Sequence, residues 1–194
     1  MLSDFEDNKE ILILKLNYTN GLVSRLIRFL QISDKPELKI PRDSIKYYAT
    51  AAFLSNDLKL KLDTYNQALN TGELNNLDNQ NLTTSFSDFL KYLNFYKEHM
   101  NISGREFYQG SIYELRKEVG NLDILDDYGD YSTRTHFTTH NMSYKELINF
   151  IERKEVFAVF QNQLTIQYNF KESLEKMMII NEKIIEQLKK LIND

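Results

Sequence analysis

Two histidines and a group of aspartates lie close together near residue 130 of this 194-residue chain. His136 and His140 are four residues apart, the spacing at which two imidazoles on a helix can share a zinc ion. Asp126, Asp127 and Asp130 precede them, and carboxylate oxygens are the ligands that hard cations such as calcium prefer. These five side chains form the one candidate metal site that the sequence suggests.

The sequence around these residues argues against a metal site. His136 is not followed by the glutamate of an H-E-x-x-H motif, and the aspartates lack the spacing of an EF-hand loop. Neighbouring threonines favour an extended or irregular segment over a helix. Exposed loop histidines and a solvated acidic loop are the simpler interpretation, so we expect no metal, no cofactor and no catalytic residue. A metal-binding protein or metal-dependent enzyme that uses residues 123–140 is the alternative.

Aromatic side chains in the same segment suggest contacts with a partner. Tyr128, Tyr131 and Phe137 lie within residues 121–142, the one long stretch without a clear helical pattern. Irregular segments of this length in compact domains are often functional, and exposed aromatic residues are typical of binding surfaces. These three side chains are therefore candidates for contact with a partner protein, and the alternative is aromatic residues at the rim of the core.

Several other classes of chemistry lack their sequence signals. The chain has no cysteine, which excludes disulfides, thiolate catalysis and cysteine-ligated metal sites within it. It has no G-x-S-x-G, G-x-G-x-x-G or Walker lysine motif, so neither a serine nucleophile nor a nucleotide site can be argued. The net charge is −4 and no basic stripe is present, which gives no support for nucleic-acid binding.

The C-terminal stretch organises the predicted fold. Residues 155–192 contain no glycine or proline, and their apolar residues recur at helical spacing, mostly in steps of three or four: Val156, Phe160, Leu164, Tyr168, Leu174, Met178, Ile185, Leu188 and Ile192. Similar patterns predict long helices at about 4–31 and 78–119. Six glycines and two prolines are few for this length, which favours long helices over many turns. We therefore predict an all-α fold, an antiparallel bundle of these three long helices in a single domain 1–194.

Shorter helices are predicted between the long ones. Both prolines lie within 33–42 and predict a break in the helical pattern. A short helical hairpin is predicted after it at 43–71. This hairpin has a tight turn before Leu58 and ends at Gly72 as a left-handed cap. Ser143 and Glu146 match a capping box that opens a short helix at 143–153. Asn101 to Gly104 is predicted to kink or interrupt the 78–119 helix.

Membrane and export signals are absent from the chain as given. No run of about eighteen apolar residues occurs, so no segment is predicted to cross a bilayer. The N-terminus is acidic and lacks the basic start and apolar run of a signal peptide.

Three stretches together resemble a family of uncharacterised bacterial proteins. The first is Leu2 to Phe5 with the charged helix after it, and the second is Thr64 to Leu74 with Leu77 and Leu82 beyond it. The third is Arg153 to Phe157 leading into the terminal helix. Members of that family have one N-terminal transmembrane helix followed by an all-helical extracytoplasmic domain. The chain lacks the transmembrane helix, and residues 121–142 have no counterpart in the family.

The resemblance implies a location and a class of function. The expected function is a non-enzymatic, extracytoplasmic (periplasmic) domain of a membrane-anchored bacterial protein, acting in sensing or protein–protein interaction. Its partner is expected to be an unknown protein or a second copy of the chain, and contact with the membrane would come only through a transmembrane helix outside this chain. A third alternative, which the apolar pattern of the terminal helix suggests and the resemblance does not, is a structural homo-oligomer that buries an exposed apolar stripe of this helix against a copy of itself.

Overall fold

The computed structural model describes residues 1–35, 39–54, 56–76, 79–119 and 143–193. Of these residues, 87% are helical and none forms a strand, which confirms the predicted all-α fold. The α-helices are α1 (Leu2–Asp34), α2 (Arg42–Thr50), α3 (Asp63–Asn70), α4 (Gln80–Tyr108), α5 (Ser111–Val119), α6 (Tyr144–Ile151) and α7 (Lys154–Asn193). Short 3-10 helices occupy Ala51–Phe53 and Glu73–Asn76. The long helices α1, α4 with α5, and α7 pack against each other.

The chain divides into two compact units. The first unit comprises Met1–Asn20, Asn56–Met100 and Tyr168–Asp194, and the second comprises Gly21–Ser55 and Asn101–Gln167. Each of the three longest helices contributes one part to each unit.

Buried positions on the long helices follow a seven-residue pattern. In α7, ten buried positions alternate in steps of four and three: Val156, Phe160, Gln163, Gln167, Phe170, Leu174, Met177, Asn181, Ile184 and Leu188. This spacing is typical of coiled-coil packing. Ile166, Ser173 and Ile185 lie beside this row and are also buried. Three of the ten side chains in the row are polar. Of the predicted apolar row, Val156, Phe160, Leu174, Ile185 and Leu188 are buried. Tyr168 and Ile192, which were predicted to be buried, are 46% and 67% exposed.

The first unit sets the direction of the long helices. Ion pairs join Glu6 to Lys189 at 2.8 Å and Lys9 to Glu182 at 3.1 Å, so α1 and α7 run antiparallel. The Asn181 side-chain amide also donates a hydrogen bond to the carbonyl oxygen of Phe5 at 2.8 Å. A buried polar group that has one specific partner fixes the register between two helices.

An extended segment, residues 56–62, returns the chain along α1. Asn56 donates its side-chain amide to the hydroxyl of Thr19 at 3.0 Å, and Asn8 both donates to and accepts from the Lys61 backbone at 2.8 Å. Since residue numbers rise along the segment and fall along α1, the two run antiparallel.

Tyr96 of α4 contacts the start of the same segment. The ring of Phe86 packs against Tyr65, just beyond the segment, at 5.0 Å. Helix α4 therefore runs parallel to α1, whereas α7 runs antiparallel to α1.

This segment corrects the predicted hairpin at 43–71. Helix α3 begins at Asp63, not at Leu58, and residues 56–62 are not helical. Leu58 is buried on one side of the extended segment while its neighbours Asp57 and Lys59 are exposed. The alternation suits an extended chain. The buried Asn8 and Thr19 side chains stabilise it, and these partners are remote in the sequence.

The second unit has a large apolar core. Phe29 stacks on Phe160 with ring centroids 3.8 Å apart, and the Phe53 ring meets Phe160 edge-on at 6.3 Å. At the end of α2, the Arg25 guanidinium donates a hydrogen bond from Nε to the carbonyl oxygen of Tyr47 at 3.0 Å and lies 4.0 Å from the Tyr47 ring centroid. A cation that binds the unpaired carbonyls of a helix C-terminus stabilises that end.

The predicted 78–119 helix is interrupted at a different place. Asn101 and Gly104 lie within the continuous helix α4, and the break falls at Gln109 and Gly110. The Glu106 carboxylate accepts hydrogen bonds from the Ser111 hydroxyl at 2.7 Å and the Ser111 backbone N–H at 3.1 Å, which caps α5. This cap requires a close approach between Glu106 and Gly110.

Alanine substitutions at two glycines are expected to have opposite effects. A Cβ at Gly110 would lie 2.8 Å from the Glu106 Cα and 2.5 Å from its carboxylate, so Gly110→Ala is expected to lower the free energy of unfolding by about 1–2 kcal/mol through loss of the cap. A Cβ at Gly104 meets nothing within 4 Å, so Gly104→Ala is expected to add about 0.5–1 kcal/mol. Urea unfolding of both variants measures the difference, and equal effects would contradict this account of the break.

Two local predictions are confirmed. Gly72 ends α3 with a φ of +75°, the left-handed conformation that glycine adopts without strain. The Ser143 hydroxyl accepts a hydrogen bond from the Glu146 N–H at 3.3 Å, and the Glu146 carboxylate accepts one from the Ser143 N–H at 2.7 Å. Both features depend on residues close in sequence.

Asp4 makes part of the stability of the first unit depend on pH. Its carboxylate accepts hydrogen bonds from the Thr64 hydroxyl at 2.6 Å and the Thr64 N–H at 3.2 Å, and the hydroxyl bond lowers the pKa of Asp4. A lowered pKa in the folded state adds stability above about pH 4, which is lost as the pH falls through the folded-state value. Asp4→Asn is therefore expected to unfold at lower urea than the wild type at pH 7, with the difference shrinking at acid pH. Asp88→Asn, at an exposed site, is the control, and a difference independent of pH would contradict the assignment.

Among the described residues, no helix is both long and apolar enough to cross a membrane.

Candidate functional site

The site residues predicted from the sequence lie outside the described residues. This applies to the metal candidates Asp126, Asp127, Asp130, His136 and His140, and to the partner-contact candidates Tyr128, Tyr131 and Phe137. Their roles remain predictions. Within the part of the chain that the structure describes, no group of three or more histidine, cysteine, aspartate or glutamate side chains could hold a metal ion.

The described residues contain a different candidate site, an open groove on the first unit between α4 and α7. Its volume is about 460 Å³. The residues that line it are Lys91, Tyr92, Asn94, Phe95 and Glu98 of α4, and Glu172 and Ser173 of α7. Sites of this size accommodate a small organic ligand or a few side chains of a partner. We call this feature the α4/α7 groove.

Phe95 is the main apolar side chain of the α4/α7 groove. It is 41% exposed, although its ring lies 4.3 Å, centroid to centroid, from the imidazole of His99. His99 in turn meets the buried Phe170 ring edge-on at 6.4 Å. Phe95 is therefore supported from below by aromatic contacts and presents its other side to the solvent. Rigid, partly exposed aromatic side chains are typical anchors at binding surfaces.

His99 lies in the interior of α4 and not at a helix end. Helix α4 continues to Tyr108, so His99 has helix on both sides and its position does not complement a helix dipole. Its Nδ1 atom is buried and has no hydrogen-bond partner among the described residues. The imidazole packs as an aromatic ring between Phe95 and Phe170.

The charges along the groove are separated from one another. Lys91, Glu98 and Glu172 are exposed, and within the described parts of the chain none of them has an ion-pair partner. Lys91 and Glu98 are seven residues apart, about 10 Å along the helix axis, which is too far for an ion pair. The α4 wall therefore has a positive charge near one end and a negative charge near the other, and both can contact a partner.

The core beneath the groove is rigidly built. The Tyr96 ring packs against Phe170 with centroids 4.7 Å apart, and its hydroxyl donates a hydrogen bond to the carbonyl oxygen of Asn56 at 2.9 Å. Burial raises the pKa of Tyr96, so its hydroxyl stays protonated and serves as a structural donor. Ser173 uses its hydroxyl to donate to the carbonyl oxygen of Asn169 at 2.8 Å. The Tyr96 and Ser173 hydroxyls are therefore engaged within the protein. The groove offers the aromatic surface of Phe95, charged side chains, and the polar groups of Tyr92 and Asn94.

The sequence contained one signal of this groove that an apolar pattern overlooks. Leu93 and Tyr96 lie on the buried row of α4, whereas Lys91, Phe95 and Glu98 lie on a second face at helical spacing. An aromatic residue flanked by opposite charges on an otherwise polar helix face is a weak indication of a contact surface. The depth of the groove depends on Glu172 and Ser173 of α7, which are remote in sequence from the α4 residues.

Comparison of the chain with protein-family models, with curated proteins and with solved structures gives no match in any of the three.

Proposed function

We propose that the protein is a non-enzymatic helical binding domain that acts in sensing or protein–protein interaction. The observation that carries this proposal is the α4/α7 groove, with Phe95 exposed between Lys91 and Glu98. An exposed aromatic anchor with unpaired charges beside it provides both affinity and orientation for a partner.

Photo-crosslinking tests the binding role. Phe95 is replaced by benzoyl-phenylalanine in the native protein, and cells are irradiated. We expect a crosslinked product of defined mass, because a docked partner would cover this side chain. Leu69 on α3 is the matched control, since it is 48% exposed and does not line the groove. No product at Phe95, or equal products at both sites, would contradict the proposal.

We further propose that the domain lies on the extracytoplasmic side of a membrane-anchored bacterial protein. The three stretches that resemble the family of membrane-anchored helical domains support this part. A membrane-impermeant maleimide tests it on the native gene product carrying Lys59→Cys, because Lys59 has a side chain that is 90% exposed and this chain has no cysteine of its own. Labelling in intact spheroplasts is expected, and labelling only after lysis would place the domain in the cytoplasm.

The spacing of His136 and His140 and the preceding aspartates supports a second candidate, a metal-binding protein or metal-dependent enzyme. Metal analysis of the purified protein separates the two candidates. Stoichiometric zinc, manganese or calcium that is lost in a His136→Ala/His140→Ala variant would favour the second candidate.

A further inference from the structure

The groove face of α4 has a charge pattern that is complementary to itself. Lys91, Phe95 and Glu98 follow one another at steps of four and three residues, so they lie on one side of the helix. The positive charge comes first and the negative charge last, and neither has an ion-pair partner among the described residues. A second helix of the same sequence, placed antiparallel to this face, presents the opposite order of charges.

We propose that a second copy of this chain docks on this face with two-fold symmetry. With the axis between Asn94 and Phe95, Lys91 of each copy lies opposite Glu98 of the other copy, and Phe95 lies opposite Asn94. Two-fold contacts between identical chains use the same surface patch on both, so each favourable pair occurs twice. The inference rests on the proposed function, because it identifies the partner of the α4/α7 groove.

The groove offers the space that such a contact needs. Phe95 of one copy projects toward the groove of the other copy, whose volume of about 460 Å³ accommodates an aromatic ring and its neighbours. Glu172 forms part of the α7 wall and is exposed. Its charge stays in contact with water at the rim, where solvent and salt screen it. The ion pairs set the orientation of the two chains, and Phe95 supplies the apolar contact.

Charge reversal and charge exchange test the proposal. Sedimentation velocity over a range of concentrations is expected to show a reversible monomer–dimer equilibrium for the wild type. Lys91→Glu and Glu98→Lys each place like charges opposite one another, and each is expected to raise the dimer dissociation constant by about tenfold or more. The double variant Lys91→Glu/Glu98→Lys restores the pairing and is expected to dimerise like the wild type.

Mixing the two single variants restores both ion pairs without a further substitution, and a heterodimer would show that both variants are folded. In a mixed dimer, one chain has two glutamates and the other two lysines, so both cross-pairs are attractive. The mixture is expected to form a heterodimer about as readily as the wild type forms its dimer, at concentrations at which each variant alone is mainly monomeric. Lys97→Glu, on the same helix but off this face, is the control and is expected to leave dimerisation unchanged.

Three results would overturn the inference. The first is a wild type that remains monomeric at the highest soluble concentration. The second is a dimer whose dissociation constant does not change in either charge-reversal variant. The third is a double variant that does not dimerise although circular dichroism shows that it is folded. The second result would place self-association elsewhere, as on the exposed residues of α7. A monomer whose Phe95 position crosslinks to another protein would overturn this inference and leave the proposed function standing. A monomer with no crosslink would contradict both.

Discussion

Replacing Phe160 by alanine is expected to lower the free energy of unfolding by about 3–5 kcal/mol, the range found for deletion of a fully buried aromatic side chain. Phe160 has no exposed surface, and its ring contacts Phe29 face to face and Phe53 edge-on. The substitution removes both ring contacts and leaves a cavity that neighbouring helices cannot easily close.

Phe95→Ala is the matched control for Phe160→Ala. It deletes the same atoms from a side chain that is 41% exposed, and its effect on stability is expected to be below about 1 kcal/mol. Urea unfolding followed by circular dichroism gives both values, at a protein concentration at which the wild type is monomeric. Similar losses in the two variants would show that the ring stack of Phe29 and Phe160 is not a central contact of the second unit.

Replacing Asn8 by aspartate is expected to destabilise the protein by about 3 kcal/mol at neutral pH. The Asn8 amide is fully buried and pairs with both the N–H and the carbonyl oxygen of Lys61 at 2.8 Å. A carboxylate can accept from the N–H but cannot donate to the carbonyl, and the two oxygens repel each other. Protonation restores a donor, so the variant is expected to recover stability relative to the wild type as the pH falls.

The direction of this pH dependence follows from the environment of the new carboxyl. Burial and the facing carbonyl raise its pKa in the folded state above the unfolded value, so the folded protein binds the proton more tightly and gains stability at lower pH. Asn17→Asp, at an exposed site on the same helix, is expected to change stability by less than about 0.5 kcal/mol. A loss at Asn8 that does not depend on pH would contradict the proposed hydrogen bond to the Lys61 carbonyl.

Features that depend on neighbouring residues were predictable from the sequence. The long helices, the left-handed Gly72 and the capping box of Ser143 and Glu146 all depend on interactions within a few positions of the chain. The break at Gly110 was placed too early, at 101–104. The break depends on the hydrogen bond between the Ser111 hydroxyl and the Glu106 carboxylate, and a pattern of apolar residues does not include these side chains.

Features that depend on distant partners were not predictable in the same way. Asn8, Gln163, Gln167 and Asn181 occupy buried positions of the seven-residue pattern, where a search for apolar residues does not look. A polar side chain can be buried when another part of the chain supplies its hydrogen-bond partner, as Phe5 does for Asn181. The α4/α7 groove is similar, since Phe95 becomes a site residue only when Glu172 and Ser173 form the opposite wall.

The sequence by itself determined that the chain is helical, where most of its helices begin and end, and that apolar residues recur along one side of each long helix. Backbone hydrogen bonds and caps act over one or two turns, so the local order of residues is sufficient for these features. Only the tertiary structure decided that residues 56–62 return along α1, that α4 therefore runs parallel to α1, and that Lys91, Phe95 and Glu98 border a groove. These features depend on side chains that are remote in the chain, such as Asn56 and Thr19 at 37 positions apart and Asn8 and Lys61 at 53, and their pairing is set by the packing of the whole unit.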